Sequence, residues 1–325
     1  MLSDLIMNLV FTLNRNKELE FMLLSLLGDL KDHEIFIIVH DNKKLSNFTE
    51  KYLKSSWRFK NVHLIYEPIT KDLKNDIFLL KPLVLEWFSR NFKNDFLFLD
   101  CDVYFNNEHR HNNRDFSKKL ICDKCTNPPE KTKVYHSFVL ELNKILSREL
   151  LDYELESIGS SWIIGGSGSS LFWEEWKELS EEITKKSKEN KNPLINFYGQ
   201  HYNEELALSV LQDSNYNFLD SKTENMGVNI YFKNENNEND DPMFVHYDSL
   251  SFFPDEKRSI ILEKSFGINL DSIKKNQKII RGKLYEFANP KNIHLINKIF
   301  ENPELLKKIN EPDILHLFSG FRKTF

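Results

Sequence analysis

Residues 96–104 read Phe-Leu-Phe-Leu-Asp-Cys-Asp-Val-Tyr, an apolar run that ends in two carboxylates. A run of four apolar residues is typical of a strand in a sheet that helices cover on both faces. Asp100 and Asp102 follow at positions i and i+2, where that strand ends. In open α/β sheets, ligands bind outside the carboxyl ends of the strands. The stretch therefore predicts an α/β sheet with a ligand site at the end of this strand.

The residues before this stretch alternate between strand-like and helix-like patterns. Short β-branched and aromatic runs are separated by segments whose apolar residues recur at helical spacing. The strand-like runs are residues 7–13, 34–40, 62–66 and 95–100, and the helix-like segments are residues 17–30 and 78–92. This βαβα order predicts parallel strands joined by right-handed crossovers.

The pattern is less regular after residue 102. A strand beginning at Trp162 is predicted to run into a glycine turn, and residues 255–325 are polar and mostly helical in pattern. Between them we predict further helices at 137–156, 172–188 and 203–211, strands at 216–219, 228–232 and 243–247, and a loop with two prolines at 122–133.

The composition is that of a soluble globular protein. Of the 325 residues, 40% are hydrophobic and 29% are charged, which suits one large domain or two packed lobes. The net charge of -5 provides no basic field, so nucleic acid is not an expected partner. No stretch approaches the roughly 18 apolar residues of a membrane span, and residues 1–13 lack the apolar region of a signal peptide. Three cysteines cannot all pair with one another, which favours a reducing, cytoplasmic location.

The spacing of Asp100 and Asp102 suits a divalent cation. A carboxylate pair at a strand end engages one hard ion and leaves coordination positions for phosphate oxygens. Lys81, on the helix just upstream, would add positive charge for a leaving diphosphate. The structural alternative is two solvated aspartates and a surface lysine.

Several features, in their order along the chain, resemble the GT-A fold glycosyltransferases. They are the polar strand end at Thr12 and Asn14, the Lys81-Pro82 helix, the Asp100-x-Asp102 motif, the Gly165-Gly166 turn, the acidic pair Glu204-Glu205 and His246 after a strand. The likeness spans residues 7–250 and is nearest to the glycogenin-like retaining branch. The glycine and the Lys-Pro-Trp stretch that usually follow the histidine in that branch are absent from residues 248–257.

The resemblance implies a Rossmann-type, mixed and mostly parallel sheet that binds a UDP- or GDP-sugar with Mn²⁺ or Mg²⁺. Residues 1–105 would form the nucleotide-sugar half of the domain, residues 106–254 its acceptor half, and residues 255–325 a helical extension. The acceptor would be a hydroxyl on a glycan, a lipid-linked group or a protein.

The resemblance also implies roles for individual residues. The metal ligands would be Asp100, Asp102 and His246. Donor binding would involve the same two aspartates together with Thr12, Asn14 and Lys81. Sugar or acceptor contacts would come from the glycine turn at Gly165, Gly166 and Ser167, and, because an aromatic ring can stack on a sugar face, from Tyr198. The catalytic residues would be Glu204 and Glu205, one of them acting as base in an inverting enzyme or steadying positive charge in a retaining one.

Plainer interpretations exist for most of these residues. The glycines suit an ordinary turn, His246 suits a loop, and an acid in a first helical turn is favoured by the helix dipole. Two other functions also fit the sequence. One is a haloacid-dehalogenase-like phosphohydrolase with Asp100 as nucleophile and Asp102 as acid/base, and the other is a non-catalytic carbohydrate-binding protein on the same fold. The pair Cys122 and Cys125 has half the spacing pattern of a zinc knuckle.

Overall fold

The structure is a computed structural model, and it describes residues 8–14, 33–40, 61–66, 76–101, 103–105, 119–125, 140, 142–144, 146, 157–214, 216–221, 226–229 and 243–246. The strands are β1 (Asn8–Asn14), β2 (Glu34–His40), β3 (Val62–Tyr66), β4 (Phe96–Leu99), β5 (Val103–Phe105), β6 (Leu120–Cys125), β7 (Ile158–Gly166), β8 (Phe218–Asp220), β9 (Gly227–Asn229) and β10 (Phe244–His246). The helices are α1 (Leu80–Phe92), which a 3-10 turn at Ile77–Leu79 precedes, α2 (Phe172–Glu189), α3 (Pro193–His201) and α4 (Asn203–Ser214). Within these ranges, no helix has both the length and the apolar character that a membrane crossing requires.

Seven strands form one mixed sheet in the order β3-β2-β1-β4-β7-β6-β8. The strands β3, β2, β1 and β4 are mutually parallel, and β8 is parallel to β6, whereas β7 is antiparallel to both of its neighbours. This confirms the prediction of an α/β fold with a mixed, mostly parallel sheet. A second sheet contains β5, β10 and β9, with β10 in the middle.

Helices pack on one face of the large sheet around α2. The buried side of α2 carries Phe172, Trp173 and Trp176, which are fully buried. The ring of Trp173 lies 4.5 Å from that of Phe96 on β4, measured between centroids. The indole nitrogen of Trp176 donates to the main-chain oxygen of Glu204 at 2.9 Å. The aromatic face of α2 therefore fixes the first turn of α4 against the sheet.

A bulge interrupts the pairing of β7 with β6. The ladder passes from Cys122 opposite Ile164 directly to Asp123 opposite Ser160, so residues 161–163 are extra on β7. A Cβ on Gly227 would contact both Trp162 and Ile163, which places these consecutive side chains on the same face, toward the small sheet. Bulges re-aim side chains in this way beside functional sites.

The regular elements agree with the predicted ones at most positions. The strands predicted at 34–40 and 62–66 match β2 and β3, and the helix predicted at 172–188 matches α2 to within one residue. The loop predicted at 122–133 is wrong at its start, because β6 extends through Cys125 and pairs with two strands. The helix α3 and the strand β5 were not predicted. The helix predicted at 17–30 and the extension at 255–325 lie outside the described residues, as does most of 137–156.

Replacing Gly227 by Ala is expected to lower the free energy of unfolding by about 1 to 3 kcal/mol. The added Cβ would lie 2.4 Å from Cη2 of Trp162, and a hydrogen bond between that indole and Asp123 holds the ring in place. Urea unfolding measures the change. Leu171→Ala is the control, since Leu171 is 69% exposed and its truncation should change the free energy by less than about 0.5 kcal/mol. Equal midpoints for Gly227→Ala and the parent would contradict the expectation.

Candidate active site

The amino group of Lys81 joins three parts of the fold. Its Nζ lies 3.0 Å from Oδ1 of Asp100, 2.9 Å from Oγ of Ser161 and 3.5 Å from Oε1 of Glu204. The main-chain oxygen of Ser161 also accepts from Lys81, at 3.2 Å. We refer to Lys81, Asp100, Ser161 and Glu204 as the Lys81 cluster. It brings together Lys81, Asp100 and Glu204, three residues that the sequence singled out separately.

The local sequence explains why Lys81 reaches this position. Lys81 lies in the first turn of α1, where Pro82 is tolerated because the first turn has no hydrogen bond to lose. In a parallel βα unit, a helix begins at the edge where the strands end, which is the edge that carries Asp100. The Nζ of Lys81 lies 5.2 Å from the centre of the Phe98 ring, so β4 also contributes an aromatic contact.

Burial and charge act in opposite directions within the cluster. The side chains of Lys81 and Glu204 are each 14% exposed, and that of Asp100 is 27% exposed. Burial alone favours the neutral amine, but the carboxylates of Asp100 and Glu204 outweigh it and raise the pKa of Lys81 above its ordinary value. The ammonium form is therefore retained at neutral pH.

Glu204 titrates near neutrality. Burial raises the pKa of Glu204 to about 7, and the negative charges of Asp100 and Glu205 act in the same direction. The ammonium of Lys81 and the hydrogen bond from Ser161 oppose this rise without cancelling it. A carboxyl group with a pKa near the working pH is suited to giving and taking protons.

A second group of side chains lies on the opposite face of β7. The indole nitrogen of Trp162 donates to Oδ2 of the buried Asp123 at 2.6 Å. The ring of His246 stacks on Trp162, with 5.0 Å between centroids and 3° between planes, and His246 is 6% exposed. In the small sheet, His246 pairs with Val103, the residue after Asp102. Strand pairing therefore brings His246 beside the Asp-x-Asp motif.

Only part of the predicted metal-ligand set lies among the described residues. Both carboxylate oxygens of Asp100 contact Lys81, and carboxylate oxygens are also ligands that hard cations prefer. Within the described part of the chain, no three His, Cys, Asp or Glu side chains come together as metal ligands would. Asp102 lies outside the described residues. The role of Asp102 as a metal ligand stays a prediction.

Two of the predicted donor-binding residues belong to β1. The main-chain oxygen of Thr12 accepts from Sγ of Cys101 at 3.3 Å, which places Thr12 next to the motif. Asn14 is the last residue of β1 and pairs with His40. Both residues are therefore on the strand that runs beside β4 in the sheet. Their contact with a nucleotide stays a prediction.

Gly165 and Gly166, two of the predicted sugar or acceptor contacts, lie apart from the Lys81 cluster along the sheet. Gly166 pairs with Phe96 and Gly165 with Leu97, at the start of β4, whereas Asp100 follows its end. At about 3.3 Å per residue, the separation along the strand is roughly 10 to 13 Å. Ser167 follows at the same end of the sheet, and Tyr198 lies in α3. Their contact with a substrate stays a prediction.

Packing accounts for both glycines. A Cβ on Gly165 would lie 2.8 Å from the main-chain oxygen of Phe96, and Gly166 has a φ of 153°, a conformation that side chains disfavour.

Sequence reasoning missed Ser161 and Asp123. Ser161 is one of two adjacent serines before Trp162, and only Ser161 contacts Lys81. The bulge beside it cannot be recognised from the neighbouring residues in the sequence. Asp123 was assigned to the loop with two prolines predicted at residues 122–133. Its partner is the indole of Trp162, which is 39 residues away. The one indication of a buried acid was Trp162 itself, because the indole nitrogen of a buried tryptophan needs an acceptor.

Comparisons with known proteins give matches among solved structures. Neither family models nor curated proteins match the chain. Among solved structures, the bifunctional glycosyltransferase WbbM aligns at 14% identity with a TM-score of 0.44, over 76% of this chain and 46% of its own. The glycosyltransferase GlyE of Streptococcus pneumoniae aligns at 12% identity with a TM-score of 0.45, over 86% of this chain and 63% of its own. Mouse xyloside xylosyltransferase 1 aligns at 11% identity with a TM-score of 0.44, over 74% of this chain and 97% of its own. The chain thus spans about half of WbbM and under two thirds of GlyE.

Replacing Glu204 by Gln is expected to change how the free energy of unfolding depends on pH. The pKa of Glu204 is about 7 in the folded chain against an ordinary 4.5, so the folded chain binds this proton more tightly. The resulting stabilisation is fully present below pH 4.5 and is lost as the pH rises through 7. The parent should therefore lose on the order of 1 to 3 kcal/mol across this interval that Glu204→Gln does not lose.

Urea unfolding at a series of pH values measures this difference. Glu189→Gln, at an exposed position near the end of α2, is the control and should follow the parent. Parallel pH curves for the parent and Glu204→Gln would show that Glu204 does not titrate in this interval.

Proposed function

We propose that the chain is a glycosyltransferase that moves a sugar from a nucleotide-diphosphate donor to a hydroxyl acceptor. One observation carries this proposal: Lys81, Asp100 and Glu204 converge at the strand edge from which the Asp-x-Asp motif continues. A cation and a carboxyl group that titrates near neutrality both assist transfer of a sugar from a diphosphate. The cation stabilises the leaving oxygens, and the carboxyl group acts on the acceptor or on the reacting carbon.

Asp100, Asp102 and His246 would hold Mn²⁺ or Mg²⁺. When bound, the ion would supply Lewis-acid stabilisation of the diphosphate of a UDP- or GDP-sugar. Support comes from the strand end that carries Asp100 and from the pairing of His246 with Val103. A neutral imidazole suits Mn²⁺ better than it suits Mg²⁺. Lys81 adds a permanent positive charge at the same edge, with Thr12 and Asn14 on the neighbouring strand.

Glu204 would be the acid that acts in the reaction. Its side chain belongs to the Lys81 cluster, and its pKa of about 7 leaves it partly ionised at neutral pH. In an inverting enzyme Glu204 would take the acceptor proton. In a retaining enzyme it would orient the donor and steady the positive charge at the anomeric carbon, and His246 inclines the proposal toward retention. Glu205, the next residue of α4, would contribute negative charge and favour the start of the helix.

Asp102→Ala is expected to abolish nucleotide binding that depends on a divalent cation. Calorimetry with UDP and with GDP, in Mn²⁺, in Mg²⁺ and in EDTA, measures this. Asp95→Ala is the matched control, because Asp95 is a half-buried aspartate just before the start of the same strand, at the opposite end from the motif. Binding that ignores both EDTA and Asp102→Ala would refute the role of the motif.

The two other functions predict different results in simple assays. A phosphohydrolase would cleave an aryl phosphate in the presence of Mg²⁺ and would lose that activity in Asp100→Asn. A carbohydrate-binding protein would bind sugar without turning over any nucleotide sugar. We expect neither result.

Glu204→Gln is expected to lower turnover of the nucleotide sugar by about 100-fold or more, because an amide neither accepts a proton nor carries negative charge. Donor affinity should stay within about 2-fold of the parent, since Gln keeps the size of the side chain. Glu205→Gln is the matched control and should keep most of the turnover. The assay compares turnover with donor affinity for both variants. If Glu204→Gln turns over like the parent, Glu204 is not catalytic.

A further inference from the structure

Ser161 reaches the Lys81 cluster because of the bulge in β7. Its neighbour Trp162 faces the small sheet, whereas Ser161 faces α1 and α4 and is 2% exposed. Its hydroxyl lies between two charged groups, 2.9 Å from Nζ of Lys81 and 3.0 Å from Oε1 of Glu204. No role was predicted for Ser161 from the sequence.

The chemistry of the partners fixes the direction of both hydrogen bonds. An ammonium group only donates, so the Ser161 oxygen must accept from Lys81. A hydroxyl has one proton, and the remaining contact is with Oε1 of Glu204, so that proton is directed to Oε1. The Ser161 hydroxyl therefore bridges the two charged groups: it accepts from the ammonium group of Lys81 and donates to Oε1 of Glu204.

The bridge holds Glu204 by one oxygen. Both side-chain contacts of Glu204 among the described residues involve Oε1, which Ser161 and Lys81 share. The main chain of Glu204 is held separately, because its carbonyl oxygen accepts from Trp176. With the backbone and Oε1 both held, fewer positions are open to Oε2.

We propose that Ser161 is a positioning residue, which holds Oε1 of Glu204 so that Oε2 faces the reacting groups. This role deepens the proposed glycosyltransferase function and rests on it. Ser161 acts through Glu204 and need not touch the substrate. Ser161→Ala removes the hydroxyl bridge alone, because Lys81 keeps its contacts with Asp100 and with the main-chain oxygen of residue 161.

Ser161→Ala is expected to lower kcat by about 10- to 100-fold, because small misplacements of a catalytic group have effects of this size. The affinity for UDP or GDP with Mn²⁺ should stay within about 2-fold of the parent. Ser160→Ala is the matched control. It removes a buried hydroxyl from the adjacent position on the other face of β7 and should keep parent turnover.

A double-mutant cycle tests whether Ser161 acts through Glu204. In the Glu204→Ala background, Ser161→Ala should cause no further loss of kcat, because the group that it positions is already absent. A full loss in both backgrounds would overturn the proposal, and so would parent turnover in Ser161→Ala alone.

The same double-mutant cycle can be measured by thermal unfolding, and that result does not depend on enzyme turnover. Ser161→Ala should lower Tm by about 2 to 4 °C in the parent, where it removes the hydroxyl donor to a largely buried carboxylate oxygen, and by less in Glu204→Ala. Equal shifts in both backgrounds would refute the bridge. A parent chain that turns over no nucleotide sugar would instead refute the proposed function, and the unfolding cycle would still decide whether Ser161 holds Glu204.

Discussion

The largely buried ammonium group of Lys81 is the constraint on which the site depends. A buried charge is costly unless it is paired and hydrogen-bonded, and the removal of one partner leaves the other uncompensated. The partners of Lys81 come from the end of β4, the bulge of β7 and the first turn of α4. These elements are distant in sequence, so the pairing requirement fixes their relative positions. The same requirement brings two carboxylates to one edge of the sheet.

One cation facing two carboxylates cannot satisfy both equally. Lys81 lies 3.0 Å from Asp100 and 3.5 Å from Glu204, and Glu204 is the more buried of the two acids. Glu204 therefore gains less from the cation and loses more solvation, which explains why its pKa rises to about 7. Ionisation of Glu204 thus lowers the stability of the folded chain at neutral pH, and the same raised pKa lets Glu204 change its protonation state there.

The sequence predicted the parts of the site better than their arrangement. Apolar runs located β2, β3 and β4 because strands covered by helices need continuous apolar residues. Strand ends and helix starts carry polar groups to one edge, so Lys81, Asp100 and Glu204 could each be identified singly. Their mutual contact could not, because it depends on the order of strands in the sheet. Asp123 was misassigned for the same reason, since its burial depends on an indole that is distant in sequence.

The bulge in β7 explains how one short segment serves both faces of the sheet. In a regular strand, Ser161 and Ile163 would share a face, but here Ile163 joins Trp162 toward the small sheet. The main-chain nitrogen of Asp100 donates to the main-chain oxygen of Trp162 at 2.8 Å, which ties the acidic motif to the bulge. The two sides of the candidate site, the Lys81 cluster and the stacked His246, are therefore held in register by the backbone of residues 161 and 162. The bulge in β7 thus positions the Lys81 cluster and His246 relative to each other, although no local sequence pattern indicates that these groups lie close together.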